Sequence, residues 1–171
     1  MSESHSSPAR ERVLQAAEGL FSERGYNSVT LRDIAEVLGM RQASLYNHAP
    51  GGKEELFVEV TERGLTRHRH GIEEAVAKVP VNLRAQLRAV ARWLLSQPPL
   101  DLVRMTRSDM PAIDPANAYK LSRHAYESLL YPVEQLVQKA YERGETRMVS
   151  TKLFAGTFLT AISATFDGHQ Y

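Results

Sequence analysis

At 171 residues, 43% of them hydrophobic and 24% charged, the chain can bury a sizeable core as one large domain or two small ones. It has no cysteine, which excludes disulfides, thiolate metal sites and cysteine nucleophiles and suits a reducing cytoplasm. The formal net charge is only +1, so bulk charge gives no support to nucleic-acid binding, and no apolar run approaches the roughly 18 residues of a membrane span.

In chain order, residues 1–8 are polar and serine-rich, lack the apolar core of a signal peptide, and read as a disordered arm. A first helix is predicted from Pro8–Ala9, with Val13 or Leu14, Ala17, Leu20 and Phe21 on its apolar stripe, closing at Gly25. In the second helix, about 31–38, Leu31, Ile34, Ala35 and Leu38 fall at i, i+3, i+4 and i+7. Thr30 and Asp33 have the spacing of a capping box, and Gly39 suits a left-handed C-cap. A third helix, about 42–48, follows at once. The fourth opens at Lys53 after Pro50-Gly51-Gly52 and runs toward Lys78, with a bend expected near Gly64 and the polar RHRHG. Pro80 breaks the chain before a fifth helix with Leu83, Leu87, Val90 and Leu94 on one face. Its Arg84, Arg88 and Arg92 read as a solvated row on another. A short sixth helix, about 100–109, ends before Pro111. The seventh runs from Asp114-Pro115 to Arg143, kinked at Pro132 and stopped by Gly144. A last helix spans Lys152 to Phe166. No alternating strand interrupts this series, so the fold class is all-α.

The stretch TLRDIAEVLGMRQASLYNH, Thr30 to His48, orders its residues as a helix-turn-helix requires: apolar, small Ala35, Gly39, apolar Met40 and Leu45, then a polar outer face. On that face Gln42 can pair with adenine N6 and N7 and Arg41 with guanine O6 and N7, while Ala43 offers a surface for a thymine methyl. Ser44 and Asn47 can bond a base edge or a phosphate oxygen, and Leu45 belongs to the core. Residues 1–70 hold nine Lys or Arg against ten Asp or Glu, yet Arg32, Arg41 and Lys53 gather at the proposed DNA face. Lys53 also stands at a helix N-terminus whose free N–H groups favour an anion.

Together with RERVLQAAEGLFSERGYNSVT upstream and SLYNHAPGGKEELFVEV downstream, this segment resembles the N-terminal domain of the tetracycline-repressor (TetR) family of bacterial transcriptional regulators. The matching pieces include Ala16-Ala17, Leu20-Phe21, Gly25-Tyr26, Thr30, Ile34-Ala35, Gly39, Leu45-Tyr46, His48, Lys53-Glu54 and Leu56-Phe57. The resemblance implies phosphate contacts from Thr30, Tyr46, His48 and Lys53, and a base contact from Arg32. It further implies an N-terminal three-helix DNA-binding domain over 9–69 and a helical effector-binding and dimerisation domain over 70–171. The partners implied are double-stranded DNA with a palindromic operator, a small-molecule effector and a second copy of the chain, with no membrane, cofactor or metal. Two departures stand out. Arg41 occupies a position where the family usually has a capping Ser or Thr, and the loop from His48 to Lys53 is one residue longer, with Ala49 in place of an aromatic. Family members also usually continue with another long helix, whereas DGHQY alone follows Phe166. That implies either a shortened coding region or a dimer formed differently.

In the second half, Trp93, Met105 and Tyr126 are the expected effector-binding residues. Repression by a cytoplasmic, ligand-responsive regulator is the leading reading. One alternative is a helix-turn-helix protein without an effector. The other, a helical enzyme or metal sensor, rests on His68 and His70, which at i and i+2 point about 200° apart and cannot share a metal well.

Overall fold

Proline at a first helical position costs no hydrogen bond, and the chain uses it there in the first of nine α-helices found among the described residues, which are 7–98, 101–147 and 150–167 of this computed structural model. Helix α1 (Pro8–Ser28) is capped by Ser7, whose hydroxyl accepts from the Arg10 N–H at 3.2 Å. Positions 7 and 8 of the expected arm are therefore cap and first turn; residues 1–6 lie outside the described residues. Inside α1, Gly25 takes φ 76° and ψ 169°, so the regular helix breaks where the sequence places its stop, and a last turn follows to Ser28.

The remaining helices are α2 (Leu31–Val37), α3 (Gln42–Leu45), α4 (Gly52–Ala77), α5 (Leu83–Leu95), α6 (Leu102–Arg104), α7 (Pro115–Ala125), α8 (Tyr131–Glu142) and α9 (Thr151–Asp167). Helix α4 is one uninterrupted helix with no break at the expected bend. Two wider, i→i+5 turns intervene, at Met105–Asp109 after α6 and Tyr126–Leu130 before α8. Each is followed within two residues by a proline, Pro111 or Pro132. A proline lacks the N–H and crowds the carbonyl four residues back, and widening the preceding turn relieves that crowding. The kink expected at Pro132 is thus absorbed by a π-helical turn.

The chain folds as two units. One comprises residues up to Arg63 together with Arg104–Ala118; the other comprises Gly64–Val103 and the residues from Tyr119 onward. The units divide within α4, at 63/64, and 104–118 groups with the N-terminal unit. The reason lies in three polar groups at the end of α1. Arg104 donates to the carbonyls of Phe21, Ser22 and Glu23, Asp109 accepts from the Tyr26 N–H at 2.9 Å, and the Ser108 carbonyl accepts from Asn27. A helix end left without such partners would carry unsatisfied carbonyls.

The core of the first unit holds Leu14, Ile34, Leu45 and Leu56, all at most 2% exposed, and a ring cluster of Phe21, Tyr26 and Phe57 with centroids 4.9–6.1 Å apart. In the second unit, Leu65, Ile72, Val90, Leu121, Leu129, Val133 and Leu159 are buried, whereas Arg84, Arg88 and Arg92 keep surface open to solvent. The Trp93 indole lies flat on α4 at Gly71: a methyl group there would collide with three of its ring carbons. Glycine is needed at this position for close approach, not for bending. Gly71→Ala is expected to lower stability by about 1–3 kcal/mol through overpacking, and to displace the indole. Denaturant titration would give the first. A shift in emission of Trp93, the chain's one tryptophan, would report the second.

Candidate nucleic-acid interface

Helix α2 is fixed at both ends by groups the sequence pattern identifies. The Thr30 hydroxyl accepts from the Asp33 N–H, while the Asp33 carboxylate accepts from the Thr30 N–H and hydroxyl, closing the capping box. These bonds hold the Asp33 carboxyl below its usual pKa. At the other end Gly39, at φ 62°, donates to the Glu36 carbonyl while Met40 donates to that of Ala35. This is the Schellman pattern, which only a residue tolerant of positive φ completes cheaply.

Helix α3 is a single turn, shorter than the expected 42–48; beyond Leu45 the chain continues in turns, with His48 and Ala49 both donating to the Leu45 carbonyl. Its cap, Arg41, makes no side-chain capping bond, in keeping with the departure seen in the sequence. The absence of a Ser or Thr there costs on the order of 1 kcal/mol. Buried Leu45, 1% exposed, anchors the turn. Around it Arg41, Gln42, Ala43, Tyr46 and Asn47 are exposed, Ser44 and His48 half-buried, and Thr30 and Arg32 of the preceding segment exposed. Nine of the ten expected DNA-contacting residues therefore keep some or most of their surface open.

The tenth, Lys53, is turned inward. Its Nζ donates to the Tyr26 carbonyl at 3.0 Å and sits 3.9 Å from the centre of the Tyr26 ring, and burial lowers its pKa. The neighbouring N–H of Gly51 donates to Glu55 at 2.6 Å. A carboxylate of the chain itself thus occupies part of the anion-favouring start of α4.

Arg10, which no sequence motif marks, holds the turn after α3 in place. Arg10 donates from Nε to the His48 carbonyl at 3.0 Å and clasps Glu59 through both Nη atoms at 2.7 and 2.6 Å, with Glu55 at 3.2 Å. The bidentate Glu59 contact raises the Arg10 pKa and lowers that of Glu59. Arg63 adds contacts to Glu11 and Glu59. No local periodicity marks these partners, since Arg10 lies 38 residues from His48 and Arg63 lies 52 from Glu11.

The expected effector residues fall in both units. Met105 is buried in the first unit, in the turn that packs on α1, while Trp93 and Tyr126 belong to the second. Tyr126 is exposed and donates to Glu134 at 3.2 Å. A separate small cavity in the second unit is lined by His68, Ser163 and five leucine or isoleucine side chains, Leu102 and Leu129 among them. His68 is 4% exposed, and burial together with the nearby Arg67 charge pushes its pKa down to about 4; His70 is exposed on the same helix. Among the described residues no group of three or more His, Cys, Asp or Glu could hold a metal ion, and no helix is long and apolar enough to cross a membrane.

Residues 13–60 match the model of the bacterial regulatory proteins of the tetR family. The HTH-type transcriptional regulator LmrA of Bacillus subtilis strain 168 is 45% identical over 51 residues, 30% of this chain and 27% of LmrA. The matched part is thus about a quarter of that relative's length. Among solved structures, the TetR family transcriptional regulator PfmR of Thermus thermophilus superposes with a TM-score of 0.71 at 25% identity, over 93% of this chain and 86% of PfmR. The regulator FadR of Bacillus subtilis, solved in complex with stearoyl-CoA, shares the fold with a TM-score of 0.71 at 15% identity, over 94% of this chain and 89% of FadR.

Two outcomes are expected from these contacts. Arg10→Met should cost about 1–3 kcal/mol, because it leaves the Glu59 carboxylate without its fork and frees the His48 carbonyl; paired denaturation curves measure it. His68, neutral in the fold, lets the unfolded chain take a proton first as pH falls. Stability should therefore be full above about pH 6.5 and decline toward pH 4, by about 2 kcal/mol between roughly pH 7.5 and pH 5. His68→Gln should remove that part of the decline, and equal slopes in both proteins would contradict the assignment.

Proposed function

We propose that this chain, which belongs to the tetR family of bacterial regulatory proteins, is a sequence-specific DNA-binding transcriptional regulator, a cytoplasmic homodimeric repressor released from a palindromic operator by a small molecule. The observation that carries the DNA reading is the exposed polar face of α3 around buried Leu45, clamped from behind by Arg10. Its relatives are named as transcriptional regulators, which supports regulation over catalysis.

On this reading Arg41 and Gln42 meet base edges, Ala43 a thymine methyl, and Ser44 and Asn47 bases or phosphates, with Arg32 reaching a base from α2. Tyr46, 48% exposed, and His48 contact phosphate, as does Thr30 at the mouth of α2. Lys53 enters differently: its ammonium joins the start of α4 to Tyr26, so it positions the domain more than it touches DNA. The effector reading draws on the second unit's cavity and on FadR, a protein of this fold that holds a ligand. Coupling follows the chain itself. Helix α4 carries residues of both units, and Leu102, at the cavity, is two residues from Arg104, which caps α1. Displacing Leu102 would thus act close to the support of the DNA-binding unit.

Selection from random DNA should enrich an inverted repeat with half-sites about one helical turn, roughly 34–36 Å, apart or at an offset set by the dimer. Within it, Gln42→Ala should cost about 1–3 kcal/mol and relax preference at one base pair. Tyr46→Phe should weaken all sequences alike. Lys53→Met should lower stability without changing base preference. A Gln42 variant with unaltered preference would show that α3 is not the reading element.

A further inference from the structure

The cavity beside His68 encloses about 20 Å³, room for little more than one water molecule. No ionised side chain is among the described residues that line it. A carboxylate or an ammonium group entering here would lose its water and find no counter-charge, a penalty far larger than that for a neutral polar group. One polar atom nonetheless waits for a partner. The Nδ1 of His68 is buried without a hydrogen bond, although such atoms in protein interiors are nearly always satisfied. The imidazole is uncharged at neutral pH, so Nδ1 can accept from a hydroxyl or donate to a carbonyl, depending on its tautomer.

We propose that this space is the seat of an uncharged, largely apolar small molecule with a single hydrogen-bonding group, an alcohol, ketone or amide, met by His68 Nδ1. The molecule enters by parting the aliphatic wall formed by Leu129, Leu159 and Ile162 and their neighbours, since the closed space is too small for it. Its identification as the effector rests on the regulator reading above; its binding here does not.

The test uses the full chain without DNA and three probes that differ only in head group: 1-octanol, octanoate and octylamine. Binding is followed by the shift in melting midpoint and by methyl NMR of Leu129, Leu159 and Ile162. Octanol should raise the midpoint saturably and move those methyl signals, with octanoate and octylamine at least about tenfold weaker. His68→Phe should weaken octanol about fivefold, the loss of one hydrogen bond. Ser163→Leu and Leu159→Trp each fill the space and should weaken octanol at least about tenfold; if one fails to fold, the other decides. Octanoate binding as tightly as octanol, octanol binding unchanged in a folded filled variant, or no methyl response to any probe overturns the proposal. A chain that binds octanol at this site but enriches no operator retains this inference and loses the regulator reading.

Discussion

The N-terminal unit depends on how its first helix ends. At Gly25 the backbone turns to φ 76°, exposing the last carbonyls of the regular helix and the N–H of Tyr26. A Cβ there would lie within 3.0–3.1 Å of the Arg104 side chain and the Asp109 carboxylate, so the residue is glycine for space as well as for conformation. Arg104 and Asp109 meet the exposed groups, Asp109 while 5% exposed. Tyr26, fixed by that bond, offers its carbonyl and ring to Lys53 and packs its ring against Phe21 and Phe57. Three stretches far apart in the chain, around residues 25, 53 and 107, therefore share one joint, and the start of α4 is set by it.

Ion pairs and caps elsewhere in the unit bear on how a domain with little net charge could present a face suited to an anion. Several acids of the unit are engaged within the fold: Glu55 and Glu59 with Arg10, Glu11 with Arg63, Asp33 in the α2 cap, and Glu54 accepting from Asp114 and Asn117. Where the donor is a guanidinium these bonds are charge-assisted, and all of them hold the acids on the domain's own groups. Arg32 and Arg41 remain on the exposed side. Net charge counts both populations equally, whereas a DNA phosphate within a Debye length responds to local charge.

Much of the local geometry is legible in the sequence because it is set by near neighbours. Thr30 with Asp33, Gly39 after α2, Gly144 after α8, where Glu145 donates back to Ala140, and the span of α9 all follow from capping chemistry and periodicity within a few residues. The exposure of Arg41, Gln42 and Ala43 around buried Leu45 is legible for the same reason. Arg10 is not, because its partners at 48, 55 and 59 are brought to it only by the packing of α1 on the later helices. Lys53 turns inward for a related cause: a helix N-terminus does attract anions, but Glu55 and the Tyr26 ring are within reach and present in every molecule. Large groups on amphipathic helices mark the expected effector residues, a pattern that cannot distinguish Met105 packed on α1 from a cavity wall. The length of the terminal tail bears on residues 168–171, outside the described residues.

The second unit buries several polar atoms among its aliphatic side chains. In the first, the joint at Gly25 pairs the end of α1 with Arg104 and Asp109. In the second, His68 Nδ1, Gln86 Oε1, Trp93 Nε1, Ser128 Oγ and Glu134 Oε1 are buried without a hydrogen-bond partner. A buried polar atom left without any partner costs about 1–3 kcal/mol relative to a satisfied state. The wide helical turn at 126–130 falls within this unit, next to α8, and such turns depart from the regular ladder that makes a helix stiff. On the small-molecule proposal, a unit with unsatisfied polar atoms beside aliphatic walls would gain more from admitting a matching molecule than a fully satisfied core could. On that proposal these atoms are where a bound molecule would gain leverage over the unit's conformation, because binding free energy shifts an equilibrium only by what it supplies to one state and not the other.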